Sequence, residues 1–136
     1  MYTISDASAG QSFLVAWKQL EPMFERALRY GQGDMISLEM IAKEVLEGDA
    51  QMWVVHQDQD VKAGIVVSVH QAAITKVFVN VLAGSDMDEW FDLLMSKVSE
   101  FKDAVGASCI EASCRPGMAL YLARNGWKSK ATIMSI

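Results

Sequence analysis

Three apolar, β-branched runs follow one another with almost no room between them: Gln51–Gln57, Val61–His70 and Ala72–Leu82. Val, Ile and Trp fill them, the residue types that suit a pleated, half-buried surface. Asp58-Gln59-Asp60 separates the first two by a tight turn, so they read as a hairpin, and the third extends it into a meander. A sheet of this kind has two faces to cover. The rest of the chain must therefore supply helices that pack on it.

The flanking segments carry that pattern. From Ser12 to Tyr30, Phe13, Ala16, Trp17, Leu20, Phe24, Ala27 and Leu28 recur at steps of three and four. Pro22 inside this stretch predicts a kink or break near Leu20-Glu21, and Gly31-Gln32-Gly33 an end. A second helix is predicted over Leu38–Glu47, with Ser37 as N-cap and Gly48 as stop. After the meander, Ser85 opens a third helix. Ser85 and Asp88 have capping-box spacing, and Met87, Trp90, Phe91, Leu94, Val98 and Phe101 form its buried stripe. Gly106 marks its exit.

Ser108–Ser113 then reads as a strand, Gly117–Asn125 as a short helix opened by Pro116 and capped by Gly126, and Trp127–Ile136 as a closing strand. With Tyr2–Ile4 as a first strand, the order is β-αα-βββ-α-β-α-β. That is an α/β chain: a mixed, mostly antiparallel sheet with helices on both faces, in a single domain over residues 1–136.

Charge narrows the function classes. The net charge of −5 repels phosphate backbones, so nucleic acid is not an expected partner; Arg124, Lys128 and Lys130 are too few to reverse this. The chain has no run of about 18 apolar residues, so no membrane span is expected. Met1-Tyr2-Thr3-Ile4-Ser5-Asp6 lacks the basic start of a secretory signal, which makes a cytoplasmic location the expectation. Cys109 and Cys114 would stand roughly 16 Å apart on a strand, beyond disulfide reach, and are expected as buried free thiols. His56 and His70 are isolated, and no metal site is expected.

The order of elements, the helix at Ala119-Leu120-Tyr121 and the Gly126-Trp127 pair that ends it resemble the GNAT N-acetyltransferase superfamily over nearly the whole chain. The resemblance implies an acetyl-CoA site where the third helix begins. Val79, Val81, Leu82, Gly84 and Ser85 would line it, with backbone groups from Val79 to Leu82 pairing with the pantetheine arm. The family's phosphate loop reads Gln/Arg-x-x-Gly-x-Gly/Ala, whose glycines let backbone N–H groups approach the pyrophosphate. Here Gly84 is the only glycine, and Asp86, Asp88 and Glu89 crowd the helix start. Carboxylates there suit the helix dipole themselves and are read as caps.

The family's usual acid, a Tyr four residues before the glycine of the Gly-aromatic pair, falls on Leu122; Tyr121, one residue earlier, is the remaining candidate. For a general base, Asn80 and His70 are the polar candidates on the central strands. Glu111 reads as an exposed strand carboxylate. The glycine-poor loop and the Leu in the tyrosine position are similar to GNAT-like proteins from the structural-gene regions of tailed bacteriophages. That resemblance implies a non-catalytic protein without cofactor, acting through a protein partner in virion assembly. The alternative is an acetyl-CoA-dependent N-acetyltransferase acting on a primary amine.

Overall fold

The computed structural model describes residues 1–29, 36–114, 116–131, 134 and 136. Its elements in chain order are β1 (Tyr2–Asp6), α1 (Gly10–Arg29), α2 (Leu38–Leu46), β2 (Ala50–Gln57), β3 (Asp60–Gln71), β4 (Thr75–Gly84), α3 (Met87–Ala104), β5 (Cys109–Ala112) and α4 (Pro116–Arg124). The sheet runs β1-β2-β3-β4-β5 in that spatial order. The first four strands are antiparallel neighbours, and β5 joins β4 in parallel after the α3 crossover. The mixed sheet expected from the sequence is thus the one formed.

Alternation along β2 builds both cores. Met52 and Val54 enter the layer under α1 and α2 with Phe13, Leu20, Phe24, Ile41 and Val45. Trp53 and Val55 enter the opposite layer under α3 with Trp90, Leu94 and Val98. A strand covered on both faces reads as an unbroken apolar run, which is why Met52 to Val55 shows no polar alternation.

Pro22 does not interrupt α1, which runs through it as one helix. Leu20, Phe24 and Leu28 flank the proline on one buried stripe. Their burial, at about 1.5–3 kcal/mol each, outweighs the roughly 3 kcal/mol that a mid-helix proline costs. The stop assigned to Gly31-Gln32-Gly33 lies outside the described residues. So does part of the closing strand: residues 127–131 are not in a strand, and Thr132, Ile133 and Ser135 are not described. At 127–131 the chain is held instead by side chain and cap, with Lys130 Nζ donating to Glu111 at 2.8 Å and the Trp127 N–H to the Leu122 carbonyl at 3.0 Å.

The feature with most consequence sits in β4. Val66 pairs with Val81, but Val67 pairs with Val79, so Asn80 is an extra residue in the ladder. Such a bulge shifts the strand's two-residue alternation by one. Val77 and Val79 accordingly lie in the α3 core, whereas Val81 and the half-buried Ala83 lie against the α1–α2 core. The parallel pairing of β4 with β5 covers Lys76 to Val79, and among the described residues none continues past the bulge.

Among the described residues, no helix is long and apolar enough to cross a membrane. Beyond the bulge, β4 crosses β3 closely at its end. A Cβ added at Gly84 would lie 2.3 Å from the Ala63 Cβ and 2.6 Å from the Lys62 carbonyl oxygen. Neither neighbour can give way, since one is backbone and the other sits on it. Gly84→Ala should destabilise the protein by about 1–3 kcal/mol, the usual cost of overpacking. Urea denaturation checks this, and an unchanged midpoint would contradict the packing described.

Candidate functional site

Past Val79 and Ala112, where pairing stops, β4 and β5 part. The gap between them is a small apolar pocket of about 60 Å³. Val79, Val81 and Leu82 form its β4 wall, and Ala112, Ser113 and Cys114 its β5 wall. Leu28 closes it on the α1 side, Met95 on the α3 side, and Leu122 and Trp127 at the far end. The bulge makes this possible, because Val79 and Val81 would otherwise share one face of the sheet.

The end of α4 positions two of these walls. Gly126 takes φ +93°, a conformation that favours glycine. The Gly126 N–H donates to the Ala123 carbonyl at 3.2 Å and the Trp127 N–H to the Leu122 carbonyl at 3.0 Å. These two bonds form a Schellman cap, which commonly brings the residues at its ends into apolar contact. Here those residues are Leu122 and Trp127, the pair at the end of the pocket. The Gly-aromatic pair is therefore legible in the sequence as a cap, and the cap delivers the tryptophan.

The turn from β4 to α3 has only Ser85 and Asp86 between the two elements. It is bound into the protein on both sides. The Ser85 N–H donates to the Lys62 carbonyl at 3.1 Å, and the Ser85 carbonyl accepts the buried Trp90 indole N–H at 2.6 Å. The capping box predicted from Ser85 and Asp88 does not form. Asp86 occupies the cap position at φ 60°, ψ 43°, with no side-chain capping bond, and the helix starts at Met87. An aspartate tolerates this left-handed conformation better than most residues. Gly84 and Ser85 thus lie beyond the pocket, whereas Val79, Val81 and Leu82 line it.

The two acids that follow are both engaged. Asp88 accepts the Tyr121 hydroxyl at 2.8 Å, and Glu89 accepts the Tyr2 hydroxyl at 2.6 Å. Tyr121 also packs edge-on against Phe91, with ring centroids 5.2 Å apart. Its face of α4 is turned to α3, while its neighbour Leu122 faces the pocket. Burial pushes the Tyr121 phenol above its ordinary value, and the Asp88 hydrogen bond pushes it further. A phenol so held gives up its proton less readily. The Tyr2 phenol is pushed up to about 12, first by its hydrogen bond to Glu89, then by burial and by the charges of Glu89 and Asp86.

Glu111 is not the open strand carboxylate its position suggests. Its side chain is 23% exposed and bridges Lys76 at 3.1 Å and Lys130 at 2.8 Å. The hydrogen bonds from Lys130 and Lys76 hold its carboxyl below the usual carboxylate range. The other two polar candidates do meet. Asn80, buried at the bulge, accepts the Ser68 hydroxyl at 2.9 Å, and Ser68 in turn touches His70 Nε2 at 3.0 Å. Glu44 of α2 completes this cluster through Asn80 Nδ2 at 3.3 Å. Sequence reasoning missed Ser68 and Glu44, because neither has a local signal: one is an ordinary strand serine, the other a helix-surface acid. Cys109 and Cys114 are not joined in a disulfide; Cys109 is half-buried and Cys114 exposed, so neither is the buried thiol expected. Among the described residues no cluster of His, Cys, Asp and Glu could hold a metal ion.

No family model matches the chain, and no curated protein does. Solved structures match along its full length. A tetramutant of the BH1408 protein from Bacillus halodurans superposes with a TM-score of 0.74 at 12% identity, covering 98% of each chain. An aminoglycoside acetyltransferase, meta-AAC0020, from an uncultured soil metagenomic sample gives 0.69 at 14%, covering 99% of this chain and 93% of the other. Glucosamine-6-phosphate N-acetyltransferase from Arabidopsis thaliana gives 0.63 at 11%, covering 100% and 97%. The chain has the GNAT fold. At these identities the likeness carries the fold alone, and the GNAT architecture is filled here by an unrelated-looking set of side chains.

The Tyr2–Glu89 bond gives a measurable signature. In an alkaline absorbance titration Tyr2 should ionise at about pH 12, and Glu89→Gln should move it towards the ordinary value of about 10. The raised folded-state value means that Tyr2 adds stability in full below about pH 10. That contribution is lost as pH rises through about 12. A Tyr2→Phe variant assigns the transition; an identical titration in the Glu89→Gln protein would show that the bond is not formed.

Proposed function

We propose that this GNAT-fold protein is non-catalytic and acts through contacts with a protein partner, with virion assembly in a tailed bacteriophage as the setting its sequence pattern favours. The observation that carries this is the turn between β4 and α3. A pyrophosphate needs backbone N–H groups open to it at a helix start. In this turn the Ser85 N–H is bound to the Lys62 carbonyl, and Asp86, Asp88 and Glu89 crowd the start of α3. Three carboxylates repel a doubly charged phosphate group, and the helix dipole is already matched by them. Leu122 in place of a phenol at the end of the pocket removes the group that would protonate a leaving thiolate.

A second reading, an acetyl-CoA-dependent N-acetyltransferase acting on a primary amine, is favoured by one observation. The parting of β4 from β5 leaves an apolar slot walled by Val79, Val81 and Leu82, and main-chain pairing with a pantetheine arm needs no particular side chain there. Calorimetric titration with acetyl-CoA and with coenzyme A at low salt separates the two. The expected outcome is no heat of binding, with an unchanged melting temperature at millimolar ligand. Saturable one-to-one binding in the micromolar range would overturn the non-catalytic reading. It would return Tyr121 to consideration as the acid, to be tested by Tyr121→Phe.

A further inference from the structure

The apolar pocket is continuous with a surface of different character. Met95, its wall on the α3 side, also lines an open groove along that helix together with Asp92, Ser96, Ser99, Glu100 and Asp103. These five residues are exposed and recur at helical spacing, so they form one polar flank of α3. A single half-buried methionine thus stands between an apolar cavity and an acidic surface.

The acids of this groove are incompletely matched within the protein. Lys102 pairs with Asp103 at 3.6 Å, and Lys97 is turned over the Trp53 ring, 5.5 Å from its centroid. Asp92 and Glu100 make no ion pair among the described residues. Asp92 lies on the side of α4: after burial and the Asp88 bond, its charge also helps to raise the Tyr121 phenol. Asp88, one turn earlier, accepts that phenol at 2.8 Å. The net charge of −5 adds a longer-range attraction for cations. A cationic group beside Met95 is what this surface complements.

The pocket selects a second feature. Its 60 Å³ is under half of the ~150 Å³ cavity that takes a benzene ring, so it suits the branched end of one aliphatic side chain. Its β4 wall, past Val79, is not paired with β5 among the described residues. An unpaired strand edge receives an extended segment through main-chain hydrogen bonds, while side chains of that segment fill adjoining pockets. Such a segment advances about 3.3 Å per residue. A lysine or arginine next to the buried side chain therefore reaches across Met95 to Asp92 or Glu100.

We propose that the cleft between β4 and β5 is the docking site for an extended, basic segment of a partner protein, with one aliphatic side chain in the pocket and flanking lysines or arginines on Asp92 and Glu100. This rests on the protein-contact reading above and gives the partner its chemistry. The two fail separately. One-to-one binding of acetyl-CoA overturns that reading, whereas a protein that binds neither acetyl-CoA nor a basic peptide overturns only the segment proposed here.

The probe is an end-capped pentapeptide, Lys-Lys-Leu-Lys-Lys, titrated to millimolar concentration at low salt into the full chain and followed by methyl and amide NMR. Resonances of Leu82, Met95 and Leu122 should shift and saturate together, with Ile41 and Val45 of the opposite core unmoved. Replacing the peptide leucine by serine should weaken binding at least about tenfold, the factor that burying an aliphatic side chain is worth. Asp92→Asn and Glu100→Gln, both surface changes on α3, should each weaken it up to about fivefold, as exposed ion pairs do. Circular dichroism confirms that the variants are folded. The Glu-Glu-Leu-Glu-Glu peptide should not bind.

Shifts that do not saturate, or that spread equally to Ile41 and Val45, would overturn the proposal. So would a serine peptide that binds as well as the leucine peptide, since the acids would then only gather cations. Affinity unchanged in the Asp92→Asn, Glu100→Gln double variant would overturn it from the other side.

Discussion

One extra residue in β4 organises much of this molecule. Asn80 has no opposite number in β3, and everything on β4 after it points to the other side of the sheet. Val79 is committed to the α3 core and Val81 to the α1–α2 core, so the strand is anchored on both faces within three residues. Pairing with β5 stops at the same place. The pocket, the change of face and the polar cluster all lie at this one irregularity. A buried asparagine is a costly thing to place between two apolar layers unless its amide is satisfied. Ser68 from the neighbouring strand and Glu44 from α2 satisfy it, and so tie the bulge to two further elements.

The same fold can be read as a set of anchors around that bulge. Downstream, the two-residue turn at Ser85-Asp86 is fastened by Lys62 and Trp90, and the first turn of α3 by the phenols of Tyr2 and Tyr121. Tyr2 comes from β1, at the far edge of the sheet, and Tyr121 from α4, beyond β5. Helix α3 is therefore gripped at its start by both ends of the chain. The carboxylates of Asp88 and Glu89, which also suit the positive end of the helix dipole, are the acceptors of those phenols.

Secondary structure was legible because its signals are local. The meander, the two-sided apolar run of β2, the stripe of α3 and the Gly126-Trp127 cap depend on residues within a few positions of each other. Some local signals misled because tertiary contacts outweighed them. Pro22 failed to break α1, since the core holds both halves of the helix. Ser85 failed to cap α3, since Lys62 and Trp90 claimed its backbone first. Glu111 was expected to be open to solvent, but two lysines far apart in sequence converge on it.

The sequence by itself determined the elements from β1 to α4, their order, the mixed α/β class and the acidic character of the α3 start, because hydrophobic period, cap residues and charge are properties of short stretches. Tertiary structure alone decided the face that each half of β4 presents. Val77, Val79 and Val81 alternate in the sequence as if they shared one face, and no local property of Asn80 marks it as supernumerary. Its place was set by what β3 and α2 offered across the sheet: a hydroxyl at Ser68 and a carboxylate at Glu44, twelve and thirty-six residues away, close enough to satisfy the amide only when the strand bulges at that residue.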